Sequence, residues 1–416
     1  MTTLHNNNNI TPNTSPGTLP AVRVAGKCVR RQDAGVALIL ALVFVALLAA
    51  LVFAFLFEME VDASFSHHQG ADFQAQLAAS SAVVDGMMVL AEQYADMIES
   101  GMPPVDSEVD GSQWAMGASF QALNEASMRT AIADEFGKIN LNALLIYNNG
   151  VKERNEPLIE ALRQFFFLRD GDTFDPVDAI IDWLDYGDMD AQEPDGAESD
   201  YYLSLETPYP CKNGPMDTIE ELLLVKGITP ERYFGDAEQG QQPLSEYLTV
   251  HGDWDGRVNV NTAQEDVIAA IIAGHTGNLD VSIAEQIYDE ARHAPFEDVS
   301  QLSSYIPAPP VERTPRTRRP PRIDGREQPL DPRDEQRRQH SEALSQMFRV
   351  NSNCFRIHGD GMMGDTMVRV EAFVFRHPYD EREIEERLAR LGGGFEQEFY
   401  DISRQMFRIL DWKTVQ

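Results

Sequence analysis

The amino-acid sequence predicts an α+β protein: a long N-terminal transmembrane helix, an antiparallel sheet and a large inserted α-helical domain. Three observations support this fold class. An uncharged apolar run extends from Val36 to Phe57. Near the C-terminus, the segments 354–358, 367–374 and 407–412 alternate apolar and polar residues, which is typical of half-buried strands. Between these regions, residues 150–306 show helical periodicity and many acidic residues.

The apolar run is long enough to cross a membrane. As a helix, residues 36–57 would measure roughly 33 Å, which matches the hydrocarbon core of a bilayer. Basic residues precede the run at Lys27, Arg30 and Arg31, whereas Glu58 and Glu60 follow it. The positive-inside rule therefore predicts a cytoplasmic N-terminus and an exported body after residue 57.

The junction before the run indicates how the N-terminus is processed. A basic segment ends in Gly35, and the apolar helix begins at Val36. This arrangement resembles a type IV prepilin cleavage site, where a peptidase cuts after the glycine and the helix stays on the mature chain; residues 1–35 would then be the leader. A secretory signal would have a shorter apolar core and a small-residue cleavage site. An uncleaved signal anchor is the remaining alternative.

Charge and cysteine content restrict the possible partners. The chain carries 34 basic and 67 acidic residues, a formal net charge of −33. Such a surface repels nucleic acid and anionic lipid. Cys28 falls in the predicted leader, so the exported part holds Cys211 and Cys354. In an oxidising compartment these two cysteines could pair, or both could be free and buried.

The chain divides into six predicted segments. An apolar stripe continues the membrane helix and consists of Leu77, Val84, Met88, Ala91, Tyr94 and Met97/Ile98. Helices are predicted over 158–168, 177–184, 218–225, 263–273 and 283–291. A Pro/Arg-rich stretch is interpreted as a flexible linker, because it is too polar and too rich in proline to pack. The segments are the leader 1–35, the transmembrane helix 36–57, the helix and first strands 58–149, the inserted acidic helical domain 150–306, the linker 307–342 and the C-terminal strands 343–416.

Catalytic signatures are absent from the sequence. It has no GxSxG, HExxH, GxxxxGK[ST] or CxxC motif, so we predict that the protein is not an enzyme. The segments 220–230 and 258–263 follow a helix-hairpin-helix pattern, which in other proteins binds DNA phosphates through turn amides. Acidic residues crowd both segments, including Glu220, Glu221 and Glu265, and they favour a packing role.

The acidic stretch from Asp182 to Asp200 is the candidate binding site. It places many carboxylates close together, with glycines that allow tight turns. Calcium takes six to eight hard oxygen ligands, so this composition predicts a calcium site, although the spacing is not that of an EF-hand. A solvated acidic loop is the alternative, and Asp253 to Gly256 is a weaker second candidate. The predicted ligands are Asp185, Asp188, Asp190, Glu198 and Asp200.

Several blocks together resemble the general secretion pathway protein K family, the K-type minor pseudopilins of type II secretion. The resemblance implies a type IV pilin-like fold with an inserted helical domain, bound calcium, and N-methylation after cleavage by the prepilin peptidase. It also implies a single-pass inner-membrane protein with a periplasmic body and other minor pseudopilins as partners. The matching blocks are the Gly35/Val36 junction and residues 137–142, 182–185, 196–203, 221–229, 258–263 and 407–412.

The resemblance also implies a place at the tip of the pseudopilus, where the protein would help to start its growth and support protein export. In pilin-like subunits the fifth mature residue is usually Glu, but here it is Leu40. A bulky domain at 150–306 would also block a subunit stacked above it. Two other functions stay open: a calcium-stabilised signal-anchored adaptor outside any pilus, and a DNA-uptake protein built on the helix-hairpin-helix pair.

Overall fold

The computed structural model describes residues 32–100, 104–109, 114, 120–148, 151–171, 174–186, 192–236, 240–307, 332–377 and 406–415. Helix α1 runs without interruption from Gln32 to Glu99. It is the one helix in the described chain that is long and apolar enough to cross a bilayer. Side chains from Val36 to Phe57 are exposed, as expected for a lipid-facing helix. Contacts divide the chain into two units at His67/His68.

In the second unit, α1 packs on a five-stranded antiparallel sheet. The order is β1-β2-β9-β10-β11, so strands from both ends of the unit meet in one sheet. Its core joins Ala79, Val83 and Leu90 of α1 to Phe355 and Ile357. The strands of the molecule are β1 (Gln121–Leu123), β2 (Ala126–Asp134), β3 (Ile139–Asn140), β4 (Leu145–Asn148), β5 (Val151–Arg154), β6 (Leu248–Thr249), β7 (Val258–Asn259), β8 (Phe348–Arg349), β9 (Cys354–Met363), β10 (Thr366–Arg376) and β11 (Phe407–Val415). The three C-terminal strand predictions are confirmed.

Small residues let α1 lie unusually close to β9. A Cβ at Gly361 would come within 1.9 Å of the Ala75 carbonyl oxygen, and one at Gly359 within 2.1 Å of that of Ala79. The buried face therefore centres on Ala75 and Ala79. The predicted stripe was partly wrong, since Leu77 is 51% exposed, although Ala91 and Tyr94 are buried. The buried face is formed by small residues, so the spacing of the large apolar residues did not reveal it.

The chain between β2 and β9 forms a helical domain with its own hydrophobic core. The predicted helices are present within a few residues, except that 218–225 contains a 3₁₀ helix, Ile219–Leu224. The core already includes Ile139 to Leu145, before the predicted boundary at residue 150. The helices after α1 are α2 (Glu156–Asp170), α3 (Val177–Leu184), α4 (Ser199–Leu203), α5 (Pro230–Phe234), α6 (Glu265–Thr276), α7 (Val281–His293) and α8 (Pro332–Met347).

Helix α8 corrects the predicted linker at its C-terminal end. The segment 307–342 was expected not to pack, yet residues from Pro332 onward are helical. The end of the helix buries Leu344 and Met347 in the core of the helical domain. Two apolar residues three positions apart anchor an otherwise polar helix, because they lie on one face. Residues 308–331 lie outside the described chain.

The helical domain contains the same arrangement twice, and buried asparagines show it most clearly. The Asn142 amide donates to the carbonyl oxygens of Met216 (2.9 Å) and Val250 (2.8 Å), and its oxygen accepts from the Met216 amide (2.8 Å). The Asn261 amide donates to the Phe296 carbonyl (3.0 Å) and accepts from the Phe296 N–H (2.8 Å). Each asparagine clamps a distant segment of backbone.

The two clamps belong to equivalent modules. A capping box begins two residues after each clamped residue, and each box starts a 3₁₀ helix. The boxes are Thr218/Glu221 after Met216 and Asp298/Gln301 after Phe296. Each module also closes with a short parallel strand pair, β3 with β6 and β7 with β8. We call residues 139–249 the first module and residues 258–349 the second module. The segments 220–230 and 258–263 of the predicted helix-hairpin-helix pair fall in the first and the second module, respectively, and their pairing stays a prediction.

A buried polar network ties the second module to the sheet. The Asp134 carboxylate, at the end of β2, accepts hydrogen bonds from Asn259 Nδ2 (3.0 Å) and Thr262 Oγ1 (2.6 Å). Burial raises the pKa of Asp134 to about 6, although hydrogen bonds from Ser352 and Thr262 act against the increase. Asn259 also donates to the Asp106 carbonyl oxygen (3.0 Å). Because a buried polar group left unpaired costs about 1–3 kcal/mol, these contacts fix the position of the module.

Candidate metal centre

Three buried carboxylates meet at the end of α3. Asp182 lies in the last turn of the helix, Asp185 is its C-cap residue, and Glu198 immediately precedes α4. One oxygen from each lies within 4.8 Å of the others. Helical spacing brings the first two together, since residues i and i+3 share a face. The loop then returns Glu198 to the same point.

Backbone amides of the returning loop hold it against α3. The Glu193 N–H donates to Asp182 Oδ1 (3.1 Å), and the Asp195 N–H donates to Asp178 Oδ2 (3.1 Å). A Cβ at Gly196 would lie 1.8 Å from Asp182 Oδ2, so only glycine fits there. The Lys226 ammonium donates to the carbonyl oxygens of Asp195 (3.0 Å) and Gly196 (2.9 Å). The carboxylate group is thus enclosed by ordered backbone.

The electrostatics of this cluster favour a bound cation. Asp182 has no exposed surface, and burial raises its pKa to about 6, with a further increase from the charge of Asp185. Its Oδ2 accepts no hydrogen bond from the described residues. Grouped, desolvated carboxylates are unfavourable without positive charge. The residues present fit a hard cation such as calcium, whose other ligands would be carbonyl oxygens and water.

Aromatic side chains form the apolar wall beside the cluster. Trp183 contacts Tyr202 edge-to-face with ring centroids 5.2 Å apart, and Tyr202 stacks on Tyr209 at 5.5 Å. Tyr202 is completely buried. Cys211 lies nearby as a buried free thiol, and Cys354 is also buried and free, so the structure has no disulfide between them.

The structure unites part of the predicted ligand set. Asp185 and Glu198 belong to the cluster, whereas Asp200 is an exposed residue in the first turn of α4. Asp188 and Asp190 lie outside the described residues. Asp182 belongs to the cluster but was not among the predicted ligands, although its position three residues before Asp185 on an apolar helix was the available signal. The calcium ligand set stays a prediction.

The other two predicted sites are the second metal candidate, residues 253–256, and the cleavage site at Gly35. Asp253 lies 2.8 Å from Arg349, and Asp255 forms an ion pair with Arg257 at 2.7 Å. These carboxylates already have cationic partners, so the segment 253–256 is not favoured as a second metal site. Gly35 and Val36 lie near the start of α1, and cleavage between them stays a prediction.

Comparison with known proteins shows which family the chain resembles. Residues 137–234, which include the three clustered carboxylates, match the family model described as type II secretion system (T2SS), protein K. The predicted resemblance to the protein K family of type II secretion is confirmed. Type II secretion system protein K of Aeromonas hydrophila is 23% identical over 294 residues, covering 69% of this chain and 77% of that protein. The protein K of Klebsiella pneumoniae is 25% identical over 209 residues, covering 48% and 59%.

A solved structure supports the fold. The GspK-GspI-GspJ complex from enterotoxigenic Escherichia coli contains a chain that aligns with a TM-score of 0.54 and 17% identity. The alignment covers 85% of this chain and 99% of that chain. The predicted pilin-like fold with an inserted helical domain, as in protein K, is confirmed.

Proposed function

We propose that this protein is a minor pseudopilin at the tip of a type II secretion pseudopilus, with a structural and not an enzymatic role. One observation carries the proposal. A single helix, α1, is apolar over residues 36–57 and packs on an antiparallel sheet over Ala75 to Tyr94, and the chain of that sheet contains a protein K domain. A helix of this kind can serve both as a membrane anchor and as the spine of a pilin-like subunit.

The proposal includes a defined topology and defined partners. Prepilin peptidase would cut after Gly35, and the mature chain would be anchored in the inner membrane with its body in the periplasm. The basic residues before the helix support this orientation. The solved complex contains GspK with GspI and GspJ. By analogy, the partners of this chain would be the corresponding two minor pseudopilins, and nucleic acid would not be a partner.

Two features support a place at the tip. Leu40 stands where pilin-like subunits usually carry a glutamate that pairs with a neighbouring N-terminus, and a buried charge without a partner is costly in lipid. The helical domain inserted between β2 and β9 is also large for a subunit that must stack beneath another. A terminal subunit meets both conditions, and it would start pseudopilus growth and so support export across the outer membrane.

Calcium is part of the proposal. Asp182, Asp185 and Glu198 would hold the ion, and the predicted ligands Asp188, Asp190 and Asp200 would be further candidates. When bound, calcium would neutralise the clustered carboxylates and fix the acidic loop against α3. The chain itself supplies the enclosure through the Glu193 amide and the close approach of Gly196.

Deletion of the gene tests the function directly. Without the protein, type II substrates should remain in the periplasm, and the wild-type gene should restore their release into the medium. Leu40→Glu should be tolerated or mildly harmful, because the tip position does not require that residue. Quantitative crosslinking should find the protein in far smaller amounts than the major pseudopilin. Major-subunit amounts along the pseudopilus shaft, or normal secretion after deletion, would contradict the proposal.

A further inference from the structure

A basic row crosses the face of the sheet that α1 does not cover. Gly359 and Gly361 contact α1, so the residue between them, Asp360, lies on the opposite face. The strand register places Arg129 and Arg369 on either side of Asp360. Both arginines donate to the Asp360 carboxylate through Nε and Nη2.

This row carries excess positive charge in a strongly acidic protein. Two guanidinium groups share one carboxylate, so the row has a net charge of about +1 against −33 for the chain. Burial alone would raise the pKa of Asp360, but the two arginines hold it below its ordinary value. The side chains of Arg129 and Arg369 are 37% and 40% exposed, respectively. In both arginines, Nη1 does not donate to Asp360.

Apolar side chains flank the basic row on the side of the β9–β10 turn, whereas His358 and Glu371 follow it on the other side. The next residues on the same face, Met362 and Met367, are opposite each other in the register and are 37% and 50% exposed. The Arg129 guanidinium lies 4.8 Å from the centre of the exposed Phe120 ring. Arginine, methionine and aromatic residues are the types enriched in the cores of protein interfaces. We call these five residues the arginine patch: Phe120, Arg129, Met362, Met367 and Arg369.

The patch is ordered before any partner arrives. Each arginine is held by two contacts to a buried carboxylate, and Arg129 is also stacked on a ring. A side chain that is already fixed loses little conformational entropy on binding. The patch also continues into a cavity of about 640 Å³, which Arg369 lines together with aromatic side chains such as Phe373 and charged ones such as Glu371 and Lys413.

We propose that the arginine patch is the docking surface for a neighbouring minor pseudopilin, which presents a carboxylate beside an apolar side chain. This inference rests on the proposed function. Charge complementarity favours a carboxylate, since the row has a net positive charge and the Nη1 atoms of both arginines are not used on Asp360. The position favours a helix-anchored neighbour: the end of the β9–β10 hairpin packs at Ala75, in the part of α1 closer in sequence to the apolar run.

The test measures binding of the full-length chain in detergent to the two minor pseudopilins that correspond to GspI and GspJ, by titration calorimetry. Met367→Glu places a carboxylate within the patch without disturbing Asp360, and Arg369→Ala removes one guanidinium. The matched controls are Leu203→Glu, another exposed apolar residue, and Arg257→Ala, another surface arginine paired with an aspartate. Circular dichroism melting checks that every variant is folded.

We expect Met367→Glu and Arg369→Ala to weaken binding about tenfold or more, as interface-core residues do, while the controls stay within about twofold of wild type. Arg369→Ala should also reduce the salt dependence of the dissociation constant. Folded patch variants that bind like wild type would overturn the docking surface and leave the proposed function intact. If the wild-type chain does not bind, both the proposed function and the docking surface are wrong.

Discussion

The two modules of the helical domain share one scaffold, but only the first carries the acidic loop. Both use a buried asparagine to clamp the backbone two residues before a capping box. In the second module a single residue, Ala294, joins α7 to Pro295. In the first module, residues 185–214 occupy the equivalent position between α3 and Pro215. The scaffold therefore closes without the loop, so the loop requires stabilisation of its own.

The two modules are held together by different kinds of groups. The second module is held by neutral groups around Asn261 and by the network at Asp134. The first module instead has a cluster of three buried carboxylates, two of which belong to this loop. The Lys226 ammonium donates to carbonyl oxygens of the loop and lies over the rings of Phe174 and Tyr201. A cation bound there would supply the missing charge. Metal should accordingly stabilise the first module alone, whereas pH should affect both Asp182 in the first module and the Asp134 network that holds the second.

The largest expected effect on stability comes from substitutions that remove the two asparagine clamps. Asn142→Ala removes three hydrogen bonds and leaves buried groups unpaired, and should lower the free energy of unfolding by about 3 kcal/mol. Asn261→Ala removes two and should cost about 2 kcal/mol. Chemical denaturation of the full-length chain measures both. The exposed Asn278→Ala is the control, with a change within about 0.5 kcal/mol. An unchanged stability for Asn261→Ala would show that the modules are not equivalent.

The next effect is calcium. An ion that binds only the folded chain stabilises it by about 2.7 kcal/mol at a hundredfold excess over Kd. The melting temperature should therefore rise with calcium and fall with chelator, and Asp182→Asn should abolish most of that response. Asp255→Asn, which affects a carboxylate paired with arginine, should respond to calcium like wild type. An equal melting temperature with calcium and with chelator would show that the acidic loop is merely solvated.

A smaller effect appears on changing the pH in chelator. The folded-state pKa of Asp182 is raised from 3.8 to about 6, so the folded chain binds this proton more tightly than the unfolded chain. The resulting stability is fully present below 3.8 and is lost as the pH rises through 6. Stability at pH 5 should therefore exceed that at pH 7 by on the order of 1 kcal/mol from this group.

Asp182→Asn should remove the part of this pH-dependent stability that comes from Asp182. It should leave the part that comes from Asp134, whose pKa is also raised to about 6. Calcium should suppress the Asp182 share in the wild-type chain, because a metal ligand must be deprotonated. Denaturation curves at the two pH values, with and without calcium, separate these contributions. If Asp182→Asn had the same pH dependence as wild type, the carboxylate would not be desolvated as described.

The smallest effect comes from Lys226. Its ammonium holds the carbonyl oxygens of Asp195 and Gly196, which precede Glu198 in the acidic loop. Lys226→Met should lower stability by about 1 kcal/mol and weaken calcium binding severalfold, because the loop would be less fixed before the ion arrives. Calorimetric titration with calcium measures the second quantity. Calcium binding of wild-type strength in this variant would show that the lysine does not position the loop.

The sequence predicted elements better than it predicted contacts. The apolar helix, the helices of the helical domain and the three C-terminal strands followed from local periodicity. The clamps did not, because Asn142 and Met216 lie far apart in sequence, and no local pattern connects them. Helix α8 was missed since its two buried residues lie at the end of a polar, proline-rich stretch.

The candidate site was predicted in part for the same reason. Acidic density identified the region and included Asp185 and Glu198. It could not single out Asp182, because the place of this residue in the cluster depends on its burial and on the close approach of Gly196. A Cβ at Gly196 would lie only 1.8 Å from Asp182 Oδ2. The charge of a loop is visible in sequence, whereas desolvation is a property of the folded chain.

The N-terminus of the mature protein tests the central claim most directly. The full-length chain should be recovered from the membranes of cells with an active prepilin peptidase and its intact mass measured. We predict a chain that begins at Val36 and carries an N-methyl group, and Gly35→Leu should block the cut. A chain that still begins at Met1 would contradict the assignment as a pseudopilin and would favour an uncleaved, signal-anchored adaptor.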